Sequence, residues 1–258
     1  RACRALRSAS MLKDACGQVF RYGIAAGVCT RNPAADLRDA LPPVPSRHHA
    51  AITEPKLAGE LLRAMSDYSG HPITRAALAL SALLFLRPGE MRQMEWARVD
   101  LDEAVLTMPA ALMKRKKEDK LNGPPHIVPL APQAVAIFKD LWALTGGEGK
   151  RYVFPSLHTA DRPMSENTIN VALRRMGFDR TTATAHGFRA MARTMAAERL
   201  GVAPEVIEAQ LAHAVGDALG RAYNRTQFIE QRRALMVKWA DYLDQLRKGA
   251  EVIPFKAA

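Results

Sequence analysis

The chain has 258 residues, 48% of them apolar, enough to bury the core of one large domain or of a smaller one with an appendage. Its 37 Lys and Arg against 26 Asp and Glu leave a formal charge of +11, which makes a polyanion the expected partner, although charge alone does not separate DNA from RNA or a lipid surface. A membrane span, an exported disulfide scaffold and a zinc site are not expected: the longest apolar run, Ala76 to Leu86, is too short for a bilayer, no segment has a signal-peptide layout, and Cys3, Cys16 and Cys29 form no C-x-x-C pair.

Arg1 falls within what reads as a helix, so sequence upstream of it is expected. From Ser8 to Gly27 the apolar positions Leu12, Ala15, Val19, Phe20 and Ile24 recur at helical spacing, and Gly27 supplies a C-terminal stop. Asn32-Pro33 opens a short segment that closes near Leu41. Pro42, Pro43 and Pro45 then follow without periodicity, which makes 42–50 an extended linker between a unit at 1–41 and another at 51–258. Thr53 is expected to cap a helix with Pro55 in its first turn. Further helices are expected over about 73–85, after the turn Arg87-Pro-Gly-Glu90, and over 131–145, 165–176, 188–200, 204–211 and 227–246. Residues 104–108 and 126–129 read as strands, with 152–154 as one more, and the lysine-rich run 114–123 reads as the long basic tip of a hairpin. The fold class is mainly α (α+β), a multihelical body with a small antiparallel β-sheet.

Several residues carry chemistry. Arg87 ends an apolar helix, and Glu90 three residues on can orient its guanidinium toward phosphate oxygens; a plain surface pair is the other reading. His186 and Arg189 share a helix face, with Gly187 allowing close backbone approach and Phe188, Met191 and Met195 supplying a buried side. His213 ends an apolar helix, where it serves equally as a site residue or a helix cap. Tyr223 follows a glycine-containing loop and is flanked by Arg221 and Arg225. A phenol whose pKa is near 10 needs cations or a base before it can attack a phosphodiester, and a merely packed tyrosine is the alternative. A lysine of the run 114–120 can protonate a departing sugar oxygen, or the run is a solvated tip. No H-x-x-x-H set is present, and the arginines would repel a cation from the same pocket, so metal-free chemistry without a cofactor is expected.

Read in order, Arg87 with Glu90, a hairpin lysine, His186-x-x-Arg189, His213 and Tyr223 resemble the catalytic set of the tyrosine recombinase (phage integrase) family. The wording is similar to integrases of satellite-phage and genomic-island type at Arg87-Pro-Gly-Glu90, His126-Ile-Val-Pro-Leu130, Tyr152-Val-Phe-Pro155, His186-Gly-Phe-Arg-Ala190, Gln210-Leu-Ala-His-Ala214 and Ala222-Tyr-Asn-Arg225. Three departures stand out: Leu84-Phe-Leu86 occupies a stretch where many members carry a Thr-Gly pair, the hairpin is long, and 215–220 lacks the charges often found there.

The resemblance implies a catalytic domain over 51–258 and, over 1–41, the last helices of a core-binding domain whose earlier part lies upstream. It implies a site-specific recombinase acting on double-stranded DNA at attachment sites, which integrates or excises a mobile element through a 3′-phosphotyrosine. Tyr223 would be the nucleophile, Arg87 and Arg189 would hold the non-bridging oxygens, and His186 and His213 would hydrogen-bond them and help move the tyrosine proton. Lys114 would be the acid, with Lys116, Lys117 and Lys120 competing. Arg115, Lys116, Lys117, Lys120, Arg221 and Arg225 would contact DNA. A homotetramer on DNA, directionality or bending factors as partners, contact of Trp239, Tyr242 and Leu243 with a neighbouring protomer, and a cytoplasmic, nucleoid-associated location follow from the same source. Type IB topoisomerase-like relaxation and a DNA-binding remnant are the alternatives.

Overall fold

A computed structural model describes residues 2–42, 49–115, 117–213 and 228–249. The chain divides into two compact units at the boundary between residues 48 and 49. The first holds helix α1 (Ala2–Ala25) and a 3-10 turn over Pro33–Leu37. Gly27 ends α1 as its sequence suggests. With φ at 71° it accepts the left-handed bend, so that its N–H reaches the Ile24 carbonyl and the Val28 N–H the Gly23 carbonyl. Asn32 caps the 3-10 turn through Oδ1, which accepts from the Ala34 N–H at 3.1 Å.

The second unit carries the helices α2 (Pro55–Ser66), α3 (Pro72–Leu83), α4 (Pro88–Arg92), α5 (Lys117–Asn122), α6 (Pro132–Thr145), α7 (Thr168–Arg175), α8 (Gly187–Glu198), α9 (Pro204–Gln210) and α10 (Ile229–Lys248). Proline at the first helical position recurs in α2, α3, α4, α6 and α9, where its missing N–H leaves nothing unsatisfied. At α2 this moves the expected cap. With Pro55 leading the helix, Glu54 rather than Thr53 is the capping residue, and its carboxylate accepts from the Lys56 and Leu57 N–H groups at 3.0 and 2.8 Å.

Strands β1 (Val99–Asp100), β2 (Val105–Met108) and β3 (His126–Pro129) form one antiparallel sheet in the order β1-β2-β3. Leu106 pairs with Val128 and Met108 with His126. All four are buried, so one face of the sheet closes the helical core. Residues 152–154 form no strand; Tyr152 makes a single bridge to Glu95. The β2–β3 connection is not a plain basic tip either, since it folds into a 3-10 turn over Ala110–Leu112 and then α5.

The C-terminal helix packs into its own unit. Trp239 is fully buried, donates through Nε1 to the Ala82 carbonyl at 2.9 Å and meets the Phe85 ring edge-on at 5.7 Å. Tyr242 and Leu243 are 3% and 5% exposed. The expectation that these three side chains touch a neighbouring protomer is therefore corrected: Leu235, Trp239, Leu243 and Leu246 make one apolar stripe at helical spacing, and α2 and α3 of the same chain already cover it. Among the described residues no helix is long and apolar enough to cross a membrane.

Candidate active site

Local turns place each base. Arg87 is the residue preceding α4, and Pro88 starts that helix. Glu90, 3% exposed, accepts from the Arg87 backbone N–H at 2.8 Å and from its Nη1 at 2.8 Å. One carboxylate thus caps the helix and holds the guanidinium, which rules out the solvated-pair reading of these two residues.

Arg189 sits one turn into α8 and is 5% exposed. Its Nη1 donates to the Phe85 carbonyl just past α3 and its Nη2 to the Leu211 carbonyl, at 2.8 Å, just past α9. The ends of two helices therefore present their unpaired carbonyls and negative dipole poles to one buried cation. Burial pulls its pKa down to about 10, with the like charge of Arg87 adding to the fall, so it stays charged at neutral pH. The Phe85 carbonyl points this way because Phe85 itself is left-handed, with φ at 59°. Glycine enters that region freely and a bulky residue does not, so the Leu84-Phe-Leu86 stretch keeps a glycine-like backbone at a cost.

His186 precedes α8 and is partly buried. Its pKa is lowered, first by burial, then by the positive fields of His49, Arg189, Arg87 and Lys114. A neutral imidazole is the result, able to donate at one nitrogen and accept at the other. Two side chains one turn apart on α7 hold the approach to it: Asn170 Oδ1 accepts from the Ala185 N–H at 3.0 Å, and Arg174 donates to the Phe178 and Ala183 carbonyls. Gly187 is needed for close packing, since a Cβ there would lie 2.2 Å from the Ala50 oxygen, which also accepts from Thr184 Oγ1 at 3.0 Å.

His213 follows α9, and its Nε2 meets Arg189 Nη2 at 3.0 Å. A cleft of about 770 Å³ is lined by Arg87, Glu90, Lys114, Lys120, His186 and His49. Of the candidate acids, Lys114 and Lys120 reach this cleft, Lys117 does not line it, and Lys116 lies outside the described residues. Arg115 turns to the Pro124 carbonyl at 2.6 Å and closes the hairpin connection. Tyr223, Arg221 and Arg225 also lie outside the described residues. A larger cleft of about 940 Å³ runs along β1 and β2 beside Lys139 and Trp142 and includes none of the candidate catalytic bases.

Two participants escaped the sequence reading. His49, which falls within the expected linker 42–50, tilts over the His186 ring with centroids 4.5 Å apart. Glu208 binds His213 Nδ1 through one carboxylate oxygen and Arg193 Nε through the other, the latter at 2.5 Å. The spacing of Glu208 and His213 across a helix end was a usable signal; nothing local marked His49.

Residues 53–230 match the phage integrase family, and residues 2–40 match the phage integrase central domain. The integrase of Enterobacteria phage P4 is 35% identical over 253 residues, which cover 93% of this chain and 55% of that protein. A putative protein, IntB, of Escherichia coli K12 is 32% identical over 260 residues, covering 98% and 65%. The chain thus spans between about half and two thirds of the length of these curated relatives. Among solved structures, a lambda integrase (75-356) dimer bound to a COC′ core site superposes with a TM-score of 0.56 at 21% identity, over 86% of this chain and 75% of that one. The integrase from mycobacterium phage Brujita does so with a TM-score of 0.53 at 18% identity, over 93% and 77%. At these identities the likeness is one of fold.

Proposed function

Because the chain belongs to the phage integrase family of tyrosine recombinases, we propose that it is the strand-transferring part of a site-specific DNA recombinase, which cuts and rejoins attachment-site DNA to integrate or excise a mobile element. The observation that carries this reading is electrostatic and geometric together. Arg87, the His186–Arg189 pair at the start of α8, and His213 come from three separated stretches of chain, interact with one another, and are oriented by Glu90, Glu208 and backbone carbonyls instead of being neutralised singly. Such a set suits a trigonal-bipyramidal phosphorane, whose charge lies on oxygens that a fixed array of donors can meet without reorganisation.

In this mechanism the phenol of Tyr223 gives its proton to an imidazole as its oxygen bonds to phosphorus. The bond to the 5′ oxygen breaks, and that oxygen takes a proton from Lys114, which reaches the cleft beside Arg87. Arg87 and Arg189 balance the charge of the transition state. Rejoining runs the same steps backward, and the phosphotyrosine conserves the bond energy, so no nucleotide is consumed. Residues 51–258 act as the catalytic domain and 1–41 as part of the core-binding unit that grips the DNA. A lambda integrase tetramer has been seen on a Holliday junction, and a tetramer on DNA, aided by directionality or bending factors in the cytoplasm, is the assembly we propose for this chain.

A nicked suicide duplex carrying the attachment core tests the reading. The expected result is a covalent protein–DNA adduct on a denaturing gel that Tyr223→Phe abolishes. An adduct that survives this substitution, or none from a folded preparation on cognate DNA, refutes it, whereas relaxation of plasmid lacking a core site would point to a topoisomerase.

A further inference from the structure

Helix α9 ends in a tight left-handed closure. The His213 N–H bonds to the Glu208 carbonyl at 3.0 Å, the Ala212 N–H to the Ala209 carbonyl at 3.1 Å, and Ala212 takes φ of 51°. This double bond pattern brings the side chain three positions inside the helix end against the side chain just past it, a contact that is commonly apolar. Here the two are Glu208 and His213, and they bond through Oε2 and Nδ1. Arg193, one turn after Arg189 on α8, takes the other carboxylate oxygen. The imidazole is therefore held at both ends, by Glu208 at Nδ1 and by Arg189 Nη2 at Nε2.

Those contacts decide where the proton sits. A carboxylate oxygen only accepts and a guanidinium only donates, so Nδ1 carries the hydrogen and Nε2 presents its lone pair. Burial raises the Glu208 carboxyl, but hydrogen bonds from Arg193 and His213 outweigh it and leave the group below the ordinary carboxylate range, so the acceptor is ionised at neutral pH. Arg189 itself is anchored by the Phe85 and Leu211 carbonyls.

We propose that Glu208 is a positioning residue of the reaction: it locks His213 as the Nδ1–H tautomer, so that Nε2 faces the phosphate-binding arginine as a proton acceptor. When Nε2 takes a proton the ring becomes an imidazolium with both N–H groups directed, one to Glu208 and one toward the site. This rests on the recombinase reading for its catalytic consequence, but not for the tautomer. Arg193 belongs to the same device, since it fixes the carboxylate plane from α8.

The test has two arms. In the first, the ¹⁵N-labelled chain without DNA is examined by imidazole ¹⁵N–¹H correlation near neutral pH, with His213→Gln assigning the signals. His213 should be protonated at Nδ1 in the native chain and in Glu208→Gln, which keeps an acceptor, and should shift toward Nε2–H in Glu208→Met and Glu208→Ala. An unchanged tautomer in the folded Met or Ala variant overturns the proposal. In the second, adduct formation on the suicide duplex should fall about tenfold to a hundredfold in Glu208→Met at saturating DNA, part of the roughly 10²- to 10⁴-fold that proton transfer supplies, with DNA affinity little changed. Glu208→Met should cost nothing further in a His213→Gln background. Losses that simply add overturn the positioning role. If the native chain forms no adduct, the recombinase reading fails while the tautomer result still decides where Glu208 holds the proton.

Discussion

Replacing Phe85 by alanine and by glycine separates two opposed effects at the wall of the candidate active site. The side chain is 1% exposed and packs edge-on against Trp239, so its removal leaves a cavity, and deletion of a buried phenylalanine costs about 3–5 kcal/mol. Its backbone is left-handed, φ at 59°, which for a residue with a Cβ costs about 1–2 kcal/mol. Alanine loses the ring and keeps that strain. Glycine loses the ring and the strain, but its freer unfolded chain returns about 0.4–1 kcal/mol to the unfolded side. The balance leaves Phe85→Gly about 0.5–1 kcal/mol more stable than Phe85→Ala, the reverse of their usual order, with both well below the native chain. Urea unfolding followed by circular dichroism measures this best as a difference in midpoints at a common slope, since extrapolated free energies carry errors of about 10–15%. If Phe85→Ala equals or exceeds Phe85→Gly, the backbone at this position is not strained and the reasoning is wrong.

Gly187→Ala should destabilise the fold or displace residues 49–50, because its Cβ would stand 2.2 Å from the Ala50 oxygen and backbone cannot step aside cheaply; thermal melting checks it, and an unshifted midpoint would contradict the contact. Glu90→Gln keeps one acceptor but loses the charge that holds Arg87, so adduct formation should slow about tenfold, the equivalent of about 1.4 kcal/mol at a charge-assisted bond, and an unchanged time course would deny Glu90 an orienting role. His126 is buried, bonds the Gln210 carbonyl at 3.1 Å, and has its pKa pushed down to about 3 by burial and then by Arg232. Its folded value lies below the unfolded value near 6.5, so its contribution is complete above about pH 6.5 and is lost as pH falls toward 3. His126→Gln should flatten the acid limb of the stability profile over that window, and an unaltered limb would show that another group dominates it.

Most of the fold was legible because it is written in short-range pattern. The periodicity of α1, α3, α6 and α10, the prolines at helix starts, Gly27 and the alternation in β2 and β3 each set local structure within a few residues. Thr53 does not cap α2 because Pro55 fixes the capping position at Glu54 by its own geometry, and the Glu54 side chain has the reach. Residues 152–154 looked like a strand because apolar spacing marks burial, not pairing.

By itself the amino-acid sequence determined which bases exist, in what order, and on which helix ends they fall: Arg87, His186, Arg189 and His213 all sit at or near such ends, where chain direction and local caps dictate orientation. Only the tertiary structure decided what those bases touch. Arg189 meets the Phe85 carbonyl 104 residues away, Thr184 meets Ala50 across 134, and Trp239 reaches Ala82 across 157. A contact across such a span depends on how whole helices pack, and packing maximises buried apolar area and minimises unpaired polar groups for the domain at once, so no window of sequence contains it. For that reason the arginines could be named from the sequence, while the left-handed Phe85 that aims a carbonyl at one of them, and the inward-facing C-terminal helix behind it, could not.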